Sequence, residues 1–114
     1  MIQTDEIHLA SFPFGDVAGM KLRPVLTLTG PVGPIPEVLV AYISSVIPNP
    51  LLASDIVLDP STAEHAATKL KTRSAVRLHK LATIHASAIV RRLGQLSAPT
   101  VSEVDQKLRT MLGL

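Results

Sequence analysis

Arg23 stands directly before Pro24, at the mouth of KLRPVLTLTG (residues 21–30), a stretch that otherwise reads as an apolar strand. Proline denies its neighbour the helical basin, so Arg23 is held extended and its guanidinium projects from a stiff stem. A planar guanidinium donates paired hydrogen bonds to an oxyanion better than an ammonium does. Two hydroxyls, Ser44 and Ser45, fall near the end of a second apolar run, EVLVAYISSVI. His79 sits in RSAVRLHKLATIH, and a histidine titrates near neutrality, where it can act as acid or base. No carboxylate occurs between Glu64 and Glu103, a gap that holds Lys69, Lys71, Arg73, Arg77, Lys80, Arg91 and Arg92. Such a segment suits a polyanion; its plainer meaning is a solvated face whose counter-charges come from elsewhere in the chain.

The chain of 114 residues is expected to form one domain, residues 1–114, with an aliphatic core, since 46% of it is hydrophobic and only 3% aromatic. Its net charge of +2 hides an asymmetry. Residues 1–60 carry two basic and six acidic side chains, residues 61–114 nine basic and three acidic. The absence of cysteine removes disulfides and thiol chemistry, and the four histidines are scattered without metal-ligand spacing, so no metal is expected. No apolar run approaches the roughly 20 residues that span a bilayer, and MIQTDEIHLA lacks a basic n-region and an apolar h-region, so a cytoplasmic protein is expected.

Strands are predicted over residues 6–12, 22–29, 37–47, 55–59, 73–85 and 88–97, from runs of β-branched and aliphatic residues bounded by Gly, Pro, Asn and Asp. In the fifth, Val76 and Leu78 point one way while Arg73, Arg77 and His79 point the other. Arg91 and Arg92, adjacent on the sixth, must face opposite sides. GPVGPIP (residues 30–36) is a stiff connector. Ser61 with Glu64 predicts a short helix over AEHAATKL, and Thr100 with Glu103 opens an amphipathic C-terminal helix ending near Gly113. Many short strands plus a terminal helix predict a mainly β fold with helical additions, a small barrel.

The blocks FPFGDVAGMKLRPVLTL, VAYISS and RSAVRLHKLATIHASAIVRRLGQLS, in this order, resemble the three signature blocks of the MazF/PemK family of toxin endoribonucleases. That resemblance implies an SH3-like barrel of the MazF/PemK/CcdB type, a homodimer, and metal-independent cleavage of single-stranded RNA without a cofactor. It also implies inhibition by a cognate antitoxin that wraps the toxin. The family's catalytic pair maps onto Arg23 and Ser44. Lys21, Ser45, Arg77 and Lys80 are then expected to hold RNA, with Phe14 as a stacking platform. Where relatives commonly place an acidic residue, this chain has His79 and His85, which makes His79 a candidate proton carrier. Two other functions fit parts of the pattern. One is a catalytically silent RNA- or antitoxin-binding module of the same fold. The other is a CcdB-like gyrase poison, disfavoured because those toxins resemble one another in an aromatic residue near the C-terminus and this chain ends MLGL.

Overall fold

The computed structural model describes residues 1–12 and 21–114. Six strands form one sheet: Glu6–Phe12 (β1), Lys21–Thr27 (β2), Glu37–Ser44 (β3), Asp55–Leu58 (β4), Ser74–His85 (β5) and Ile89–Gln95 (β6). A helix, Ala98–Leu112 (α1), follows them. The strand order is β4-β5-β3-β2-β1-β6 and every neighbouring pair is antiparallel. Register shifts interrupt the β1–β6 and β3–β5 ladders, and such irregularities bend and twist the strands. The sheet curls into a half-barrel, the mainly β architecture with a C-terminal helix that the sequence predicts.

Both faces of the sheet are covered. Val25, Leu26 and Thr27 are consecutive and all buried, which a one-sided sheet would not allow. Leu26 packs with Ile7, Ile43, Leu58, Val76 and Leu78, and α1 lays Val101, Val104 and Leu108 on that cluster. Val25 joins Ala10, Val38, Val40 and Ile84 on the opposite side.

The helix predicted from Ser61 and Glu64 does not form; a single 3-10 turn, Ala66–Thr68, stands in its place. Of the predicted capping pair, Glu64 Oε1 accepts from Thr100 Oγ1 at 3.4 Å, and Ser61 bonds locally. The Ser61 hydroxyl donates to Asp59 Oδ1 at 2.7 Å, Thr62 Oγ1 donates to the Asp59 carbonyl at 2.7 Å, and Asp59 N donates to His65 Nδ1 at 3.1 Å. Side chains that bond nearby backbone in this way offer it an alternative to helix. The C-terminal helix begins earlier than Thr100 predicts. Ser97 is its N-cap, and Pro99 falls in the first turn, where a missing N–H leaves no partner unsatisfied. Thr100 Oγ1 instead meets Ser97 Oγ at 2.9 Å. Gly113 closes the helix at φ 72° as predicted, with Leu114 N reaching back to the Arg109 carbonyl at 2.8 Å. Strand ends also differ: β3 stops at Ser44, short of residue 47, because the Ser44 side chain turns the chain there.

Candidate active site

Pro24 pairs with Leu9 of β1 on one edge of β2 and has no N–H for the other edge, so the β2–β3 ladder starts one residue later, at Val25 opposite Tyr42. Continuing that register brings Arg23 level with Ser44, the last residue of β3. Arg23 is exposed, and no hydrogen bond or ion pair ties its guanidinium to another described residue. Ser44 is half-buried; its Oγ donates to the Val46 carbonyl and accepts from Val46 N, both at 3.1 Å. The hydroxyl thus pins the turn that carries Ser45.

Arg23, Ser44 and Ser45 line one cavity of about 850 Å³. Its apolar floor includes Leu9, Ile43, Leu70 and Leu93. Five further cations line it, Lys69, Lys71, Arg77, Lys80 and Arg91, and no carboxylate does among the described residues. So many like charges attract a polyanion, whose phosphates supply the missing counter-charge and whose binding releases condensed counterions. Tyr42 is another lining residue. Burial pushes its phenol pKa above the usual value, so it stays protonated at neutral pH. A smaller cavity of about 560 Å³ lies between Ala53 and α1, where the two ionisable residues, Glu103 and Lys107, pair with each other at 3.7 Å.

Arg77 is held from behind. Its Nε donates to Asp55 Oδ1 at 2.6 Å, and Asp55, whose side chain has no exposed area, also accepts from Leu52 N at 2.8 Å. This geometry leaves the terminal nitrogens of Arg77 to face the cavity that the residue lines.

The region matching the family model for the PemK-like, MazF-like toxin of type II toxin–antitoxin systems is residues 4–112. The chain belongs to the PemK/MazF toxin family. It is similar in structure to Mycobacterium tuberculosis toxin MazF-mt6, at 26% identity over 96% of this chain and 97% of that one, with a TM-score of 0.73. Two complexes share the fold. MazE-MazF from Deinococcus radiodurans is 17% identical over 99% and 97% of the two chains, with a TM-score of 0.71. An endoribonuclease in complex with its cognate antitoxin, from a mycobacterial species, is 15% identical over 100% and 97%, with a TM-score of 0.71. No curated protein sequence matches the chain.

Within this PemK/MazF scaffold the residues singled out from sequence separate. Arg23, Ser44, Ser45, Arg77 and Lys80 come together at the cavity. Lys21, at the start of β2, is half-buried opposite Phe12 and does not line it. Phe14 lies outside the described residues. His79 is exposed and is not among the lining residues, whereas its neighbour Lys80 is. The simple alternation expected along β5 fails there: Tyr42 pairs with Arg77 but Ala41 pairs with Leu81, so Leu78, His79 and Lys80 have no partners on β3. That insertion breaks the parity linking position 79 to position 77.

Arg91 and Arg92 do part. Arg91 lines the cavity, while Arg92 donates to Glu6 Oε2 at 2.6 Å and to Gln95 Oε1 at 2.8 Å. His8 and His65 have structural partners, Glu6 and the Asp59 backbone. Sequence reasoning did not assign Lys69, Lys71, Arg91 or Tyr42 to the site. The carboxylate-free interval contained the three cations, but only the fold shows which of its members share a wall. Among the described residues no group of three His, Asp or Glu side chains gathers to hold a metal ion, and no helix is long and apolar enough to cross a membrane.

Proposed function

We propose that this toxin is a sequence-specific endoribonuclease that cuts single-stranded messenger RNA in the cytoplasm without a metal, arresting translation and growth. The observation that carries the reading is the meeting of Arg23 and Ser44 in a cavity walled by cations. Cleavage of this kind uses the ribose 2′-hydroxyl. Its oxygen attacks the adjacent phosphorus, the bond to the 5′-oxygen breaks, and the proton lost by the one oxygen is matched by the proton gained by the other. The products are a 2′,3′-cyclic phosphate and a 5′-hydroxyl. Charge accumulates on the non-bridging oxygens as the phosphorane forms, and the Arg23 fork neutralises it with paired hydrogen bonds. A guanidinium with pKa above about 12 does not serve as the base. Ser44 trades its contact with the Val46 carbonyl for one with the phosphate or the attacking hydroxyl, and Ser45, Arg77 and Lys80 hold the flanking RNA backbone. The toxin acts as a single domain over residues 1–114, as a homodimer, and is neutralised by an acidic segment of a cognate antitoxin that orders on binding. The antitoxin complexes among its structural neighbours support that partner.

Incubating the purified protein with RNA in EDTA tests the reading. Site-specific cuts with cyclic-phosphate ends are expected, and Arg23→Ala should slow them about 100- to 1,000-fold, the usual cost of losing one oxyanion donor. Strong RNA retention with no cuts would instead favour the silent binding module.

A further inference from the structure

The segment joining β4 to β5 carries two of the cavity's cations on a backbone that is held at four points. Thr68 is fully buried, its Oγ1 donating to the His65 carbonyl at 2.7 Å and accepting from Leu70 N at 3.4 Å. Leu70 plugs into the main core. Ser74 Oγ donates to the Thr72 carbonyl at 2.9 Å. The bare α-carbon of Gly94 on β6 allows the Ala67–Thr68 backbone to press against that strand. Lys69 and Lys71 flank the buried Leu70, so both project outward; both are exposed, line the cavity, and have no carboxylate partner among the described residues.

Lys69 is also strained. Its φ of 56° and ψ of 24° lie in the left-handed region, where a Cβ crowds the following carbonyl oxygen and glycine or asparagine is the usual occupant. Strain of this kind persists where the surroundings over-determine it and clusters at ligand clamps. A lysine kept where glycine would be more stable points to work done by its ammonium.

We propose that the Lys69–Thr72 turn is a second phosphate subsite, gripping a backbone phosphate of the RNA other than the one that reacts at Arg23. The inference rests on the reading of the cavity as an RNA site. Lysine binds phosphate as a mobile point charge, which suits a contact that positions the strand without shaping the transition state. RNA is taken as the ligand because these lysines line the same cavity as Arg23 and Ser44, where the reacting phosphate is placed.

The test uses a fluorescein-labelled single-stranded RNA of randomised sequence with 2′-O-methyl riboses, which cannot supply the attacking hydroxyl. Its affinity is measured against salt for the wild type, Lys69→Gly and Lys71→Gln, alongside thermal denaturation. Each substitution should weaken binding and reduce the slope of log K against log salt by about 0.7, the value for one single-strand phosphate contact. Lys69→Gly should do so while holding or raising Tm, because it relieves the backbone. Wild-type binding with unaltered slopes in both variants overturns the subsite and leaves the RNA reading standing. A Lys69→Gly protein that loses affinity only together with thermal stability also overturns it, by making the lysine structural. Failure of the wild type to retain the RNA at any salt overturns both.

Discussion

Gly94→Ala gives the sharpest test of how the scaffold holds the site. A Cβ at this position would collide with the Ala67 carbonyl oxygen and lie 2.6 Å from both the carbonyl carbon and oxygen of Thr68. Ordinary contact requires the Thr68 carbonyl to retreat by roughly 0.8 Å. These are backbone atoms, so no rotamer change absorbs the overlap. Overpacking a tight interior costs about 1–3 kcal/mol, and backbone on the receiving side puts this case near 3 kcal/mol. For a chain of this size that corresponds to a fall in Tm of roughly 12 °C. The retreat also carries Lys69 and Lys71 away from Arg91 while leaving Arg23 and Ser44 on strands that do not move. Steady-state cleavage of a defined RNA should therefore show a raised KM with kcat near wild type, beside the lowered melting temperature read by circular dichroism. A variant that melts within about 3 °C of wild type would show that the contact is not as tight as described, and the reasoning would fail. A lowered kcat with an unchanged KM would equally refute it.

Asp55→Asn should be costly for a different reason: an amide offers one acceptor oxygen where the buried carboxylate serves both Arg77 and Leu52 N, and it withdraws the charge. Because Arg77 keeps 17% of its side-chain surface exposed, the loss should sit at the low end for a broken buried pair, about 3 kcal/mol, seen as a Tm drop of about 12 °C. Glu6 governs part of the acid limb. Burial opposes its charge, but bonds from Arg92, Gln3 N and His8 outweigh that and hold its pKa below the ordinary value of 4.5. Its contribution is thus complete above that value and is lost as pH falls through the folded pKa, so Glu6→Gln should flatten the decline in Tm on acidification. Asp5 works oppositely: burial, then repulsion from Asp105, raises its pKa, so the flattened curve should show Asp5's contribution as a gain towards low pH. His79→Ala should leave the pH–rate profile of cleavage unchanged, since His79 does not line the cavity; a lost limb in that profile would return it to the chemistry.

Much of the local structure was legible because it depends on near neighbours. The span of β1 follows from its own residues, Gly113 ends α1 as its conformational freedom predicts, and the strand parity of Arg91 and Arg92 separates them onto opposite sides. The helix expected over residues 63–70 shows the limit of the same reasoning. A capping pattern identifies groups able to start a helix, but Ser61 and Thr62 found acceptors on Asp59 instead.

By itself, then, the sequence determined the strand-rich class, the extended and rigid setting of Arg23 before Pro24, and the basic interval that a polyanion requires. Tertiary structure alone decided which of those cations face one another. The three-residue insertion in β5 exchanges Lys80 for His79 at the cavity, and a long-range pairing register sets it. Gly94 and the left-handed Lys69 acquire meaning through a contact between segments more than twenty residues apart. Periodicity reports the face of an element on which a side chain lies; register and packing between distant elements determine what that face meets.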